Sequence, residues 1–381
     1  MKLLHISDLH IGKRLNGFSM LEDQKYILKQ ILAIADEQQA DGVMIAGDIY
    51  DKPVPSAEAV QVFDWFLTEL ADRGRQVYAV SGNHDSAERI AFGAQLMSGR
   101  GVFVSPVYRG DTAKYTVKDS YGELCIYMLP FVKPAVVRHA MEDAPNMEGT
   151  PIPESYHDAV RLAVEHMGVD SSTRNILIAH QFVTGAGRCD SEEVSVGGMD
   201  NVDIDVFDAF DYVALGHIHS PQSIKRETVR YCGTPLKYSF SEAGQEKSVT
   251  VVDFREKGNI ELSCIPLIPL HDMRKIRGTY LEVTAKSFYQ DTDTEDYVQI
   301  TLTDEEDIPD GLQKLRIIYP NLMQLEYDNS RTRQSCVIER AEKIEQKSEL
   351  ELFAEFYELQ NNQSMSVEQT AFVSQLIEEC R

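Results

Sequence analysis

The chain has 381 residues, a length that allows two or more folding units. Apolar residues make up 43% of it and form no run of about 18 residues, so the composition is that of a globular protein and excludes a membrane-spanning helix. The N-terminal segment reaches Asp8 without an apolar signal region, and we therefore expect a cytoplasmic protein with no membrane partner.

The net charge of −24 argues against a nucleic-acid partner, because phosphate binding normally uses Lys and Arg. The distribution of the charge weakens that objection. Residues 1–270 hold 25 basic against 38 acidic residues, and the remaining 111 residues hold 12 against 23. The acidity is therefore denser in the C-terminal part, and divalent metals bound in the N-terminal part would neutralise several of its acids.

The first half of the chain alternates short apolar runs with helical patterns, and further apolar runs follow. Five apolar runs predict strands: Leu3 to Ile6, Val43 to Ala46, Val77 to Val80, Ile176 to Ala179 and Tyr212 to Leu215. Helical patterns at Glu22 to Gln39 and at Ser56 to Arg73 separate the first three. This order is typical of an α/β sheet with helices on its faces, and such sheets bind ligands at their strand ends.

A connector and a second domain are predicted next. Strand patterns near Val249 to Phe254 and Ile260 to Ile265 precede Pro266 to Leu270, where two prolines interrupt both helix and sheet. We therefore predict a first domain over residues 1–270 and a small α/β domain over residues 278–330. The patterns in the small domain indicate, in order, a strand at 279–284, a strand at 297–302, a helix at 310–318 and a strand at 322–327.

Residues 347–381 are predicted to form a C-terminal helical hairpin. Ser348 to Glu351 and Ser366 to Gln369 both fit a capping box, in which a serine oxygen and an acid or amide satisfy backbone N–H groups at a helix start. Each predicted helix carries an apolar stripe, with Phe353 on the first and Phe372 on the second. Packing on their own domain and docking on a partner both remain open for these stripes, and the charged stretch that precedes them favours docking.

Five short polar blocks follow or end the predicted strands. They are Asp8-x-His10, Gly47-Asp48-x-x-Asp51, Gly82-Asn83-His84-Asp85, His180 and Gly216-His217-x-His219. A single block is typical of turn chemistry, because Asp and Asn are common turn formers. Five blocks in this order at strand ends are hard to attribute to turns and indicate one shared site. Gly47, Gly82 and Gly216 are expected to let the backbone turn sharply beside that site.

The donor types indicate two metal ions. The set mixes carboxylate, imidazole and carboxamide donors, and Mn²⁺ satisfies the preferences of both the oxygen and the nitrogen ligands. Seven donors exceed what one open catalytic ion needs and suit two ions about 3.5 to 4 Å apart that share a carboxylate. The predicted metal ligands are Asp8, His10, Asp48, Asn83, His180, His217 and His219.

These blocks match the whole pattern D-x-H, G-D-x-x-D, G-N-H-D/E, H and G-H-x-H, and the chain resembles the calcineurin-like metallophosphoesterase superfamily. The resemblance implies a metallophosphoesterase β-sandwich flanked by helices. It implies two metal sites that share Asp48, the first with Asp8, His10 and His219 and the second with Asn83, His180 and His217. It also implies that His84 is catalytic, by stabilising the phosphorane or protonating the leaving oxygen, and that Asp85 orients the His84 ring.

Longer segments resemble the SbcD family of bacterial nuclease subunits. They are Val196 to Gly198, Phe210 to Gln222, Tyr231 to Glu242 and Leu350 to Gln360. The resemblance implies a homodimeric subunit that joins the ATPase SbcC, trims double-stranded DNA ends in the 3′ to 5′ direction and opens hairpins in DNA repair and recombination. SbcC is expected to supply the ATP dependence, because this chain has no G-x-x-x-x-G-K-[ST] element. The small domain is then expected to face DNA, and the hairpin to dock on SbcC.

Two alternatives remain open. Another enzyme of the same superfamily, such as a protein phosphatase or a cyclic-nucleotide phosphodiesterase, usually lacks the small second domain and the terminal helix pair. A non-catalytic scaffold would keep the fold without its metals, and the complete donor set argues against it. Metal content and the degradation of linear DNA, compared with a small chromogenic phosphodiester, distinguish the three.

Overall fold

The computed structural model describes residues 1–143, 151–187, 189–192, 201–330, 332, 350, 353–354, 357 and 365–379. Within these residues the chain divides into two compact units, Met1–Arg274 and Lys275–Arg381. The segment Val196 to Gly198 and the capping box predicted at Ser348 lie outside the described residues. The domain bounds predicted from the sequence stay predictions.

The secondary structure follows the predicted alternation of strands and helices in the first half of the chain. The strands are β1 Lys2–Ile6, β2 Arg14–Leu15, β3 Phe18–Ser19, β4 Gly42–Ala46, β5 Gln76–Val80, β6 Val102–Val104, β7 Ala113–Asp119, β8 Gly122–Leu129, β9 Arg174–His180, β10 Phe182–Val183, β11 Asn201–Val202, β12 Tyr212–Gly216, β13 Gln222–Ile224, β14 Arg226–Tyr231, β15 Ser248–Phe254, β16 Ile260–Pro266, β17 Met273–Gly278, β18 Tyr297–Leu302 and β19 Leu322–Tyr327. The helices are α1 Leu21–Glu37, α2 Ala57–Asp72, α3 Ala87–Ile90, α4 Ala94–Ser98, α5 Pro134–Asp143, α6 Tyr156–His166, α7 Tyr280–Val283, α8 Lys286–Tyr289, α9 Gly311–Arg316 and α10 Val367–Glu379. Among the described residues, none of the helices combines the length and the apolar character needed to cross a bilayer.

Two six-stranded sheets form the first unit. The first sheet has the strand order β16-β15-β1-β4-β5-β6, and the second has the order β13-β14-β12-β9-β8-β7. Strands β1, β4, β5 and β6 are parallel in the first sheet, and β8, β9, β12 and β14 are parallel in the second. The carboxyl ends of the parallel strands therefore lie at one edge of each sheet, where ligands are typically bound.

The two sheets pack face to face around a shared core. Met44 and Tyr78 of the first sheet and Ile178 of the second belong to one cluster of buried side chains. Helices cover the outer faces: Val160 of α6 packs in the same cluster as Leu177 of β9, while α2 contacts β5 and α1 contacts α2. Because both faces are covered, the parallel strands are continuous apolar runs. The predicted sandwich flanked by helices is confirmed.

The second unit contains a three-stranded sheet of order β17-β18-β19. The strands predicted at 297–302 and 322–327 are confirmed, and the predicted helix at 310–318 corresponds to the shorter α9. The strand predicted at 279–284 is wrong, because Tyr280–Val283 is a helix. Thr279 and Glu282 form a capping box at its start, and this local signal favours a helix over the apolar pattern that suggested a strand.

The helix α10 begins where the sequence predicts it. The Ser366 backbone N–H donates to Gln369 Oε1 at 2.8 Å, and the Gln369 backbone N–H donates to Ser366 Oγ at 3.2 Å, so the second predicted capping box is confirmed. Gln369 Nε2 also donates to the Tyr357 hydroxyl at 2.9 Å. The side chains of Phe353, Phe372 and Leu376 are exposed. The hairpin over 347–381 stays a prediction, since most of its first helix lies outside the described residues.

Candidate metal centre

The predicted donors converge at the edge of the sandwich where parallel strands of both sheets end. Each follows or ends a strand: Asp8 and His10 after β1, Asp48 after β4, Asn83 after β5, His180 at the end of β9, and His217 and His219 after β12. The structure therefore brings together all seven side chains that the sequence predicted as metal ligands.

The Asp48 carboxylate lies between the other donors. Its Oδ2 atom is 3.4 Å from Nε2 of His180 and 3.7 Å from Nε2 of His10. Its Oδ1 atom accepts a hydrogen bond from the His84 backbone N–H at 2.9 Å. Burial alone would raise the pKa of Asp48, but the facing imidazoles, His180 foremost, hold that pKa well below its usual value. Asp48 is therefore a charged carboxylate that faces two groups of donors.

The first donor group contains Asp8, His10 and His219, whose ligand atoms lie within 4.8 Å of one another. The Nε2 atoms of His10 and His219 face each other at 3.2 Å. Asp8 is fully buried, accepts a hydrogen bond from the His217 backbone N–H at 3.0 Å, and is bound by the Ser7 hydroxyl. Burial raises the pKa of the Asp8 carboxyl to about 7.

The second donor group contains Asn83, His180 and His217. Oδ1 of Asn83 lies 3.0 Å from Nε2 of His180 and 2.9 Å from Nδ1 of His217. Nδ1 of His180 lies 2.8 Å from the carbonyl oxygen of Ala46, to which its N–H donates, so Nε2 is the atom that faces Asn83 and Asp48. Burial lowers the pKa of His180, but the Asp48 charge raises it to about 9.

The spacing of these donor atoms fits divalent ions. Adjacent ligands of an octahedral ion with bonds of about 2.1 Å lie about 3 Å apart. The closest separations in the two groups are 2.9, 3.0 and 3.2 Å. Nδ1 of His10 is buried and has no hydrogen-bond partner among the described residues, and its Nε2 atom faces Asp48 and His219. The donor set therefore fits two divalent ions with the Asp48 carboxylate between them.

Four of the donors have a backbone conformation that is uncommon outside glycine. The φ angles are 52° at Asp8, 44° at His10, 50° at Asp48 and 96° at His217. Asp and His are enriched among the non-glycine residues that adopt this region, which typically costs about 1–3 kcal/mol per residue and is concentrated at functional sites. Half of the eight non-glycine residues with a positive φ in the described chain are thus donors.

The three glycines of the polar blocks have different structural roles. Gly47 has a φ of 87°, which confirms the sharp turn expected there. Gly82 and Gly216 have no positive φ, so the expected sharp turn was wrong for these two positions. Glycine is needed at both because a larger residue would not fit. A Cβ atom on Gly82 would lie 2.1 Å from Asp48 Oδ1, and one on Gly216 would lie 1.9 Å from the Ala46 carbonyl oxygen.

His84 lies beside the donors with its side chain partly exposed. Its Nε2 atom is 3.9 Å from Oδ2 of Asp48, and its Nδ1 atom is 3.1 Å from the carbonyl oxygen of Asp51. The Asp51 carboxylate in turn forms a 2.8 Å ion pair with Lys13. The His84 ring is therefore held through its Nδ1–H by the backbone of the loop after β4, with Nε2 on the side of the metal donors.

Asp85 has a different set of contacts from the one expected. Its carboxylate accepts hydrogen bonds from the backbone N–H groups of Ile49, Tyr50 and Gly82 at 3.0, 2.9 and 2.9 Å. Burial raises the pKa of the Asp85 carboxyl to about 6, against the effect of these bonds. Asp85 thus joins the loops after β4 and β5, and the Asp51 carbonyl oxygen contacts the His84 ring at Nδ1.

The sequence analysis missed the residues that surround His219. Glu192 accepts a hydrogen bond from the His219 backbone N–H at 2.7 Å. Lys247 donates to the His219 carbonyl oxygen at 2.9 Å and to Glu242 at 2.6 Å. Glu242 ends the segment Tyr231 to Glu242 that carried the family resemblance, but no motif marks its contact with the site.

Gln24 is a second residue that the sequence analysis missed. It is buried on α1, donates to the His10 carbonyl oxygen at 2.7 Å and accepts from the Gly12 backbone N–H at 2.9 Å. A polar side chain on the apolar face of a helix is the signal that could have identified it. Gln24 therefore fixes the loop that carries His10.

Comparison with known protein families gives two matches. A family model described as "Calcineurin-like phosphoesterase" matches residues 1–221. A second model, SbcD_C, described as "Type 5 capsule protein repressor C-terminal domain", matches residues 269–361. Together the two models cover most of the chain.

Comparison with individual proteins gives a relative of similar length. The chain is 33% identical over 331 residues to the SbcD subunit of the nuclease SbcCD from Staphylococcus epidermidis, with 85% of each chain covered. Crystal structures of a Thermus thermophilus protein and of a dimetal phosphatase from Danio rerio align with 69% and 70% of this chain and 98% and 96% of their own. Their identities are 13% and 11% and their TM-scores 0.40 and 0.41, which are too low to support a conclusion.

Proposed function

The chain belongs to the SbcD family of calcineurin-like phosphoesterases, and we propose that it is the nuclease subunit of a complex with the ATPase SbcC. As a member of this family it is a metal-dependent phosphodiester hydrolase. The proposed substrate is double-stranded DNA, trimmed from its ends in the 3′ to 5′ direction and opened at hairpins during DNA repair and recombination. The name of the Staphylococcus epidermidis relative supports SbcC as the partner, and SbcC is the proposed source of ATP dependence.

The position of the Asp48 carboxylate carries this proposal. Its Oδ2 atom lies within 3.7 Å of His10 in the first donor group and within 3.4 Å of His180 in the second. A carboxylate shared by two ions is the arrangement that two-metal phosphoesterases use. The proposed ligands of the first ion are Asp8, His10, Asp48 and His219, and those of the second are Asp48, Asn83, His180 and His217.

Divalent metals are the cofactors of this family, and Mn²⁺ is the ion that we propose for this site. Mixed oxygen and imidazole donors without a thiolate support Mn²⁺. When bound, such ions polarise the phosphodiester and make a water molecule a better nucleophile at neutral pH. The chain itself contributes preorganised donors, because hydrogen bonds to Ala46 and Ser191 fix the rings of His180 and His219.

His84 is the proposed catalytic residue beside the metals. Its Nδ1–H donates to the Asp51 carbonyl oxygen, so a second proton on Nε2 would point toward the side where the donors lie. From there the ring can donate a hydrogen bond to a phosphate oxygen or a proton to the leaving oxygen. Asp85 supports this role indirectly, because it joins the loops that carry Asp48 and His84.

The chain is proposed to form a homodimer. Phe92 and Leu96 lie in the segment that contains α3 and α4, and each is 85% exposed. Large apolar side chains exposed to this degree support an interaction surface. Neither residue belongs to the donor groups.

The proposed roles of the C-terminal parts follow the family. The small domain over residues 278–330 is proposed to face DNA, and the hairpin over 347–381 to dock on SbcC. The exposed side chains of Phe353, Phe372 and Leu376 support the docking role, because aromatic and aliphatic side chains of this kind anchor helix-in-groove interfaces.

A nuclease assay with and without SbcC tests the proposal. Linear double-stranded DNA, a hairpin substrate and a small chromogenic phosphodiester are each incubated with the chain in Mn²⁺ and in Mg²⁺. We expect degradation of linear DNA and hairpin cleavage in Mn²⁺, with stimulation by ATP only when SbcC is present. Hydrolysis of the small diester without any DNA cleavage would instead favour a phosphatase or a cyclic-nucleotide phosphodiesterase.

A further inference from the structure

A buried polar network surrounds His219 on the side away from the other donors. The His219 backbone N–H donates to Glu192 Oε1 at 2.7 Å. Its carbonyl oxygen accepts from the Thr234 backbone N–H at 3.1 Å and from Lys247 Nζ at 2.9 Å. Both backbone polar groups of His219 are therefore fixed by bonds to distant parts of the chain.

The His219 ring is fixed by a chain of side-chain hydrogen bonds. Its Nδ1 atom lies 2.7 Å from Ser191 Oγ, and Ser191 Oγ donates to Glu242 Oε1 at 2.5 Å. Glu242 is fully buried and forms a 2.6 Å ion pair with Lys247, so it is a carboxylate that only accepts hydrogen bonds. Because Ser191 has one hydroxyl proton and gives it to Glu242, its oxygen must accept the proton of His219 Nδ1.

This hydrogen-bond direction selects one tautomer of His219. With the proton on Nδ1, the neutral ring has a free electron pair on Nε2. That atom is the one that lies 3.2 Å from Nε2 of His10 in the first donor group. The chain of hydrogen bonds from Lys247 through Glu242 and Ser191 to His219 therefore leaves Nε2 of His219 unprotonated, on the side of the proposed metal.

Stability does not account for the buried ion pair. Removing two charges from water is costly, and apolar side chains of similar volume are often at least as stabilising. Glu242 and Lys247 are 0% and 5% exposed, yet both charges lie next to a proposed metal ligand. Their contacts with His219 and Ser191 explain the buried pair instead, because they hold His219 in place.

We propose that Ser191, Glu242 and Lys247 are positioning residues that fix the tautomer and orientation of His219 and so set the affinity of the first metal site. The inference rests on the proposed function, since it takes His219 as a metal ligand. The three residues touch neither the substrate nor the reacting atoms, and they act through His219 alone.

Titration calorimetry of the full chain with Mn²⁺ tests the inference, with the melting temperature of each variant as a check of folding. Ser191→Ala removes the acceptor of the Nδ1 proton, and Glu242→Gln lets an amide donate to Ser191 and reverse the hydrogen bonds. We expect each to weaken one Mn²⁺ binding step by about 10- to 100-fold and to leave the other step unchanged. Ser191→Thr keeps the hydroxyl and should retain wild-type affinity.

Ser220→Ala is the matched control, because the Ser220 hydroxyl contacts Gln245 and Cys189 rather than the His219 ring. Wild-type Mn²⁺ affinity in Ser191→Ala, or an equal loss in Ser191→Thr, would overturn the inference. His219→Ala separates this failure from that of the proposed function. If His219→Ala loses one ion while Ser191→Ala does not weaken binding, only the positioning role fails. If His219→Ala still binds two ions with wild-type affinity, the proposed metal site itself is wrong.

Discussion

Asp48→Asn should abolish the rise in melting temperature that metal causes in this protein, while the fold stays intact. The asparagine carbonyl oxygen can still accept the hydrogen bond that Asp48 Oδ1 accepts from the His84 backbone N–H. The amide nitrogen replaces Oδ2, the atom that faces Nε2 of His10 at 3.7 Å and Nε2 of His180 at 3.4 Å. A neutral amide that donates protons toward both groups cannot bridge two cations, so both binding steps should weaken.

The size of the effect follows from binding linkage. An ion present at 100 times its Kd stabilises the folded state by about 2.7 kcal/mol, so two ions contribute about 5 kcal/mol. Each kcal/mol raises the melting temperature of a domain of this size class by about 2–4 °C. The wild-type protein should therefore gain roughly 10–20 °C on addition of saturating Mn²⁺, whereas Asp48→Asn should gain little and lose phosphodiester hydrolysis.

Differential scanning fluorimetry with and without Mn²⁺ measures this shift. Asp211→Asn is the matched control: Asp211 is a largely buried carboxylate at the opposite end of β12, bonded to Lys257 and to the Asn175 backbone N–H. It should show the wild-type rise. A full rise in Asp48→Asn, together with retained hydrolysis, would refute the view that Asp48 bridges two ions.

Three further predictions concern catalysis, association and docking. His84→Ala should lower DNA hydrolysis by about 10²- to 10⁴-fold, while elemental analysis still detects both metals. A loss of metal would make His84 a ligand instead. The double variant Phe92→Asp, Leu96→Asp should sediment as a monomer and hydrolyse a small phosphodiester normally, whereas a persisting dimer would place the interface elsewhere. Deletion of residues 347–381 should leave a folded, metal-binding protein that no longer co-purifies with SbcC or shows ATP-stimulated degradation, and precipitation of the truncated chain would assign the hairpin to its own core.

The donor positions were predictable because each follows an apolar run. Strands buried on both faces are short continuous apolar segments, and the chain must turn where such a segment stops. Asp8, Asp48 and His217 each stand within two residues of a strand end. The sequence therefore predicted the place of these side chains at the edge of a sheet, and their role as metal ligands stays a prediction.

The remaining features depend on contacts between distant segments. The requirement for glycine at position 216 comes from the Ala46 carbonyl oxygen, which belongs to the other sheet. The network around His219 joins Ser191 and Glu242, which are separated by 51 residues. The strand wrongly predicted at 279–284 has a different cause. The Thr279 and Glu282 capping signal for a helix was present in the sequence, but the apolar pattern was given more weight.

The strained backbone of the donors is stabilised by bonds between their loops. The Asp8 backbone N–H donates to the Gly47 carbonyl oxygen, and the His10 N–H to the Asp48 carbonyl oxygen, each at 3.0 Å. These bonds join the loop after β1 to the loop after β4, and Asp85 joins the latter to the loop after β5. Left-handed conformations that would be unfavourable in isolated turns are thereby imposed by three loops together. Because bonds within the protein hold the three loops together, less of the free energy of metal binding is spent on ordering them, and more is available for affinity at the Asp48 carboxylate.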